Sequence, residues 1–211
     1  MKYIHKGEEP EMFAVWKRLQ NEDWTPNWDA LRSPEKPVLN DALLREQGYI
    51  CCYCGMEISK KNSHIEHFKP RSIYPHLELE YTNLLVSCQR KRTSPEHCGY
   101  KKDDWYDEQL MVSPLEANCA DFFSYTESGK IQATDDPNKQ AAAATTIAQL
   151  GLNINKLIDL RQVAIEEILE GIDELTKEEI QKLIEDYEKP DGDGKYSPFC
   201  AAIIYRLKQY I

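Results

Sequence analysis

Two chemistries are superimposed between Cys51 and Lys102. The first is metal ligation by sulfur: Cys51-Cys52-Tyr53-Cys54-Gly55 supplies two thiols at x-x spacing, and Cys88 and Cys98 supply two more downstream. Four thiolates close a tetrahedron and leave no open position, so the ion they suit is a structural Zn²⁺. Cys52 falls between two ligands and would point elsewhere. His97, beside Cys98, is an alternative ligand. The ten-position step from Cys88 to Cys98 is tolerable because loop closure grows costlier only logarithmically with length.

The second chemistry lies in His64-Ile65-Glu66-His67-Phe68-Lys69-Pro70-Arg71 and in Asn83. Cleaving a phosphodiester needs an activated water, a cation beside the phosphate and neutralisation of the departing oxygen. A neutral imidazole can take a proton at cellular pH and a carboxylate can hold a divalent ion, which makes His67 the candidate base and Glu66 the candidate ligand of Mg²⁺ or Mn²⁺. Asn83 is expected to orient the backbone or the histidine.

These groups need a scaffold. Residues 8–20 place Met12, Phe13, Val15, Trp16 and Leu19 at helical spacing, predicting a core-facing helix with Pro10 near its start. The tryptophans at 24 and 28 fall in a proline-rich loop that they would fasten to the core. Val38–Gln47 predicts a second helix ended by Gly48. The knuckle at Cys51–Gly55, the polar turn 59–63 and an alternating run from His64 to Phe68 predict a hairpin across that turn. Strand neighbours face opposite ways, so Glu66 and His67 would need a bulge or curl to serve one site. Farther on, turn signals frame a hairpin holding Phe122, Phe123 and Tyr125, and helices follow to the C-terminus. Gly151 stops one, Thr176-Lys177-Glu178-Glu179 caps another, and Ser197-Pro198 opens the last. Cys119 and Cys200 have no partner at ligand spacing and read as packed thiols.

Composition bounds the class. With 211 residues and 41% apolar content, the chain can bury a core. No secretory pattern opens it and no apolar run reaches membrane-spanning length, so a cytoplasmic protein without membrane contact is expected. Seven cysteines, an odd number, fit metal ligation better than disulfides. The formal charge of −10 argues against a protein that coats nucleic acid by itself. Residues 51–102 nevertheless hold nine Lys/Arg against five Asp/Glu, a local +4 within an acidic body, so engaging a polyanion should need a partner's help.

The Glu66-His67 step, the central Asn83 and the paired cysteines resemble the HNH endonuclease family in its zinc-ribbon form. The resemblance implies an α+β, mostly helical chain in three parts: a helical segment 1–47, a ββα-metal core 48–112 and a loop-rich, then helical, region 113–211. Gln47–Cys54, His64–Arg71, Ser113-Pro114-Leu115 and Thr146–Asn153 extend it to the HNH subunit of Septu-type and retron-associated anti-phage systems, over about residues 45–161. It implies a bacterial defence effector that cuts nucleic acid, DNA before RNA, beside an SMC-like ATPase and in some systems a retron reverse transcriptase complex. The final His or Asn that many such proteins carry after the last cysteine is replaced here by the stretch Gly99-Tyr100-Lys101. His64, Asp103 and His97, in that order, are the candidates for the remaining divalent ligand. Two other classes compete: a zinc-ribbon module that binds nucleic acid or protein without cutting, and a redox protein using Cys51-x-x-Cys54, disfavoured for want of a surrounding βαβ pattern.

Overall fold

A computed structural model describes all 211 residues as an α+β chain, mostly helical, with two separate two-stranded sheets. Helices α1 (Glu11–Lys17) and α2 (Glu35–Glu46) precede strands β1 (Ser63–His67) and β2 (Leu84–Cys88), and α3 (Cys98–Lys102) follows them. The remainder is β3 (Phe123–Tyr125), β4 (Ile131–Ala133), α4 (Pro137–Leu150), α5 (Asn155–Leu169), α6 (Lys177–Glu188) and α7 (Cys200–Leu207). No helix is long and apolar enough to cross a membrane.

The strand holding His64–His67 does form, but its partner corrects the expected hairpin. β1 pairs antiparallel with β2, from Ser63↔Cys88 to His67↔Leu84, so residues 68–83 connect the strands and the 59–62 turn lies outside the ladder. The reason is burial: Leu84–Cys88 is buried throughout, as only a strand covered on both faces is. Its backbone is satisfied from the far side too. The Gln47 amide donates to Val86 O and accepts from Val86 N, and Cys52 N donates to Val86 O. The knuckle is thereby tied to the sheet before any metal is considered. Pairing is one-to-one along β1, so the bulge that would have turned Glu66 and His67 to one side is absent.

The first helix is shorter than expected and carries less of the core. Phe13 and Trp16 are buried, while Met12, Val15 and Leu19 are exposed, because two turns can offer only one narrow stripe inward. In the C-terminal part the turn 126–130 joins β3 to β4 as expected, Gly151 ends α4 at φ +61°, and Thr176 and Glu179 form the capping box of α6. The last helix starts later than Ser197-Pro198 suggested: Phe199, at φ +57°, stands before it and no side chain caps it. Cys119 and Cys200 are buried free thiols. One continuous cluster of buried side chains runs from Met1 and Phe13 through the knuckle and β2 to Leu157, Ile165 and Ala202. A small second cluster joins α6 to α7.

Candidate active site and metal centre

The four cysteines converge. One ligand atom each from Cys51, Cys54, Cys88 and Cys98 lies within 4.8 Å of all the others, and every one of these residues is buried. The Cys54 and Cys88 sulfurs are 3.8 Å apart, the edge of a tetrahedron with Zn–S bonds of about 2.3 Å. The donor set therefore fits zinc. The knuckle earns its shape from the Gly55 amide, which donates to Cys51 O, and the Cys51 amide, which donates to Met56 O, with Gly55 at φ +77°. On the other side Cys88 N donates to the Cys51 sulfur. His97 is not a fifth member: it is wholly buried, with Nδ1 at hydrogen-bonding distance from two ligand sulfurs, 3.4 Å from that of Cys88 and 3.3 Å from that of Cys98.

Beside this centre, His64 and Glu66 share a face of β1, as residues two apart must. His64 Nδ1 lies 2.6 Å from Gln89 O, so the ring donates there and turns Nε2 toward Glu66 Oε2, 3.3 Å away. A neutral ring would set a lone pair against a carboxylate, so a proton or another cation must lie between them. Burial alone would lower the His64 pKa; the bond to Glu66 and its charge outweigh that and raise it. Burial would likewise raise the Glu66 carboxyl, yet His64 and Lys102 together hold it below the usual value. Two donors 3.3 Å apart also suit adjacent positions around a divalent ion with bonds of about 2.1 Å. The space before them exists because residue 99 is glycine: a Cβ there would stand 2.4 Å from Glu66 Oε2 and 2.7 Å from His64 Nε2.

The other carboxylate oxygen is already engaged. Tyr53 Oη donates to Glu66 Oε1 at 3.1 Å, and the Lys102 ammonium lies 3.0 Å from the same atom. Lys102, only 2% exposed, also donates to the carbonyl of His67 at 3.1 Å. It thus grips the Glu66 side chain and the very next peptide.

His67 leaves the strand on the side away from this cluster. Its Nε2 lies 3.0 Å from Glu78 O and its ring stands edge-on to Trp28, with centroids 4.4 Å apart. Burial pushes its pKa down; the Glu78 carbonyl and the Glu66 charge oppose that, Arg71 and Lys102 reinforce it, and the net is lowered. The ring is therefore neutral at cellular pH, with Nε2–H donated to Glu78 and Nδ1 carrying the free lone pair. The Asn83 side chain makes no hydrogen bond to His67. It clamps the chain two residues on, accepting from Lys69 N at 2.8 Å and donating to Lys69 O and Leu77 O. Asp103 is exposed and drawn to Arg92 at 2.7 Å, and it is not gathered with His64 and Glu66 at ligand distance.

Sequence reasoning gave no site role to Lys102, Tyr53, Tyr100 or Gly99, and read Trp28 only as fastening a loop to the core. The Tyr100 ring lies tilted against His64, with centroids 4.3 Å apart and 35° between the planes. Lys102 had one legible signal, its position four residues after Cys98, which places it on the helix face that Cys98 turns to the metal centre.

No protein-family profile matches the chain. It is 32% identical over 166 residues to a candidate HNH endonuclease of retron Vc95 from Vibrio cholerae serotype O1 biovar El Tor, covering 76% of this chain and 78% of that one. It is 34% identical over 99 residues to a candidate HNH endonuclease of retron Ec83 from Escherichia coli, covering 42% of this chain and 37% of that protein. Against the Septu protein PtuB of Bacillus thuringiensis the identity is 27% over 147 residues, covering 66% and 51%.

Proposed function

The chain belongs to the HNH endonuclease family and is an endonuclease, and from that premise we propose that His67 deprotonates the attacking water while Glu66 and His64 hold a divalent cation against the scissile phosphate. A bound Mg²⁺ or Mn²⁺ would supply charge for the phosphate and the departing oxygen. His67 is supported as base by its fixed ring: Nε2–H is spent on Glu78 O, Trp28 blocks rotation, and the remaining nitrogen is neutral. Glu66 and His67 flank one strand rather than sharing a face, so the substrate phosphate must straddle the strand's end. Lys102 and Asn83 fix that end, from the His67 carbonyl and from Lys69. The four-sulfur zinc, having no free position, would hold β2 and α3 in place around it. In this reading residues 48–112 form the ββα-metal core, with 1–47 and 113–211 as flanking scaffold.

The observation that carries the reading is the cation-demanding gap between His64 Nε2 and Glu66 Oε2 one residue from an immobilised neutral histidine. The finer role is the effector nuclease of an anti-phage defence complex in the bacterial cytoplasm, acting with an SMC-like ATPase and in some systems a retron reverse transcriptase, on DNA before RNA. It is supported by the retron and Septu names of the relatives and by a net charge of −10 that leaves the chain poorly equipped to hold a polyanion alone. A second reading, a zinc-ribbon module that binds without cutting, draws on Lys102, whose ammonium already neutralises Glu66.

The test compares wild type with His67→Ala on supercoiled plasmid, single-stranded DNA and RNA, with Mn²⁺ present. Wild type should nick at least one, and His67→Ala should lose the activity with zinc content and melting temperature intact. Cleavage that survives in His67→Ala removes the base role; binding by both proteins without cleavage by either favours the second reading.

A further inference from the structure

Both ends of the segment 89–97 are clamped by metal-ligating cysteines, Cys88 and Cys98, and its interior is closed by one side chain. Gln89 Nε2 donates to Thr93 O and Thr93 Oγ1, and Gln89 Oε1 accepts from His97 N. The result is a built arm on the surface. It is also wired to the cluster described above. Gln89 O accepts from His64 Nδ1–H, and Arg90 O accepts from Tyr100 Oη at 2.8 Å while the Tyr100 ring lies tilted against His64.

The arm's three consecutive cations divide their work. Arg92 is spent internally, paired with Glu96 and with Asp103. Arg90 and Lys91 are exposed and form no ion pair. The ladder register adds another: Ser63 faces Cys88, so the 59–62 turn leaves the sheet at the same end as the arm, bringing Lys61, exposed and likewise without an ion pair. Within an acidic chain, unpaired cations gathered at one end of the candidate active strand are charge left free for a ligand.

Resting on the nuclease reading above, we propose that Arg90 and Lys91 are phosphate contacts that hold the substrate backbone against β1, so that the loop between the zinc ligands is the chain's own nucleic-acid-binding arm. The arm sits at the His64 end, and His67 lies three residues along the strand, about 10 Å away. At about 3.4 Å of rise per nucleotide, the phosphates it grips lie about three nucleotides from the one cut. Such contacts read charge and not sequence.

The experiment measures binding of a fluorescein-labelled DNA duplex, its single strand and the matching RNA by anisotropy, with His67→Ala as the background so that nothing turns over. Arg90→Ala/Lys91→Ala is compared with that background from about 20 to 200 mM salt. Both side chains point to solvent and the Arg90 carbonyl that Tyr100 uses is kept, so the fold survives; zinc content and melting temperature verify this. Removing two phosphate contacts should lower the slope of log affinity against log salt by about 1.8 on duplex, so the background protein's advantage shrinks about 60-fold over that tenfold range. An unchanged slope and affinity overturn the proposal, as does absence of binding to all three probes by the background protein at the lowest salt. Loss of binding to polyglutamate with duplex binding retained assigns the arm to an acidic protein partner and overturns it too. Failure of the nuclease reading appears elsewhere, as binding without cleavage by the wild-type protein.

Discussion

Gly99→Ala adds one methyl group, and the site's geometry sets a sharp expectation for it. In an ordinary helix the change favours folding by about 0.5–1 kcal/mol, since glycine loses more backbone entropy. Here the new Cβ would stand 2.4 Å from Glu66 Oε2, 2.7 Å from His64 Nε2 and 3.0 Å from Glu66 Cδ. A relaxed contact is about 3.5 Å, so the acceptors must retreat by about 1 Å. Neither is free to. Glu66 Oε1 is held by Tyr53 and Lys102, and His64 by Gln89 O and the Tyr100 ring. Two side chains pushed off their rotamers cost about 0.5–1.5 kcal/mol each. Against the entropic gain this leaves a net loss of about 0–2.5 kcal/mol, a fall in melting temperature of at most about 10 °C. Activity should fall much further, because a displacement of about 1 Å at reacting groups costs about 100-fold. A plasmid-nicking assay across a Mn²⁺ titration, run beside thermal melting and zinc analysis, reads all of this. Wild-type rate with an unchanged Mn²⁺ midpoint would refute the reasoning that Gly99 keeps the His64–Glu66 gap open.

The remaining expectations concern the groups around that gap. In His67→Ala or His67→Gln cleavage should drop by about 10²–10⁴-fold, the range for loss of a general base, with one zinc per chain retained. Protonation removes the His67 lone pair and burial depresses its pKa, so activity should persist at pH 6.5, the unperturbed value, and decay only below it; an acid limb of kcat/KM centred at or above 6.5 would count against His67. Lys102→Met leaves a buried carboxylate without its cation, a loss of about 3–5 kcal/mol in chemical denaturation; adding Glu66→Gln should restore most of the stability and none of the cleavage. Cys88→Ser should abolish stoichiometric zinc and cooperative unfolding together, because structural zinc contributes about 10–16 kcal/mol in small zinc-finger peptides, more than most domains have to spare. A Cys88→Ser protein that melts like wild type would show the zinc to be dispensable.

What could be read in advance was local. Cys-x-x-Cys with glycine behind it, the capping box at Thr176 and the αL stop at Gly151 are each settled within a few residues, and each is found where expected. The partner of β1 was not local. It lies beyond residues 68–83, and only the burial of Leu84–Cys88 on both faces and the Gln47 amide along its far edge decide the pairing. Alternation along β1 warned that Glu66 and His67 diverge, and the straight register shows it. Lys102 escaped notice because a buried lysine looks like a surface one in sequence; its use depends on α3 packing against the sheet. Met12, Val15 and Leu19 misled because helical spacing tells which residues share a face, and not how much of that face the core has room for.

The account turns on a cation held between Glu66 Oε2 and His64 Nε2. Crystals grown with zinc and Mn²⁺ and measured at both absorption edges test it directly. The account requires a zinc peak among the four sulfurs and a manganese peak within about 2.2 Å of both acceptor atoms. A manganese peak elsewhere, or none while Glu66 stays clamped by Lys102 alone, would contradict it.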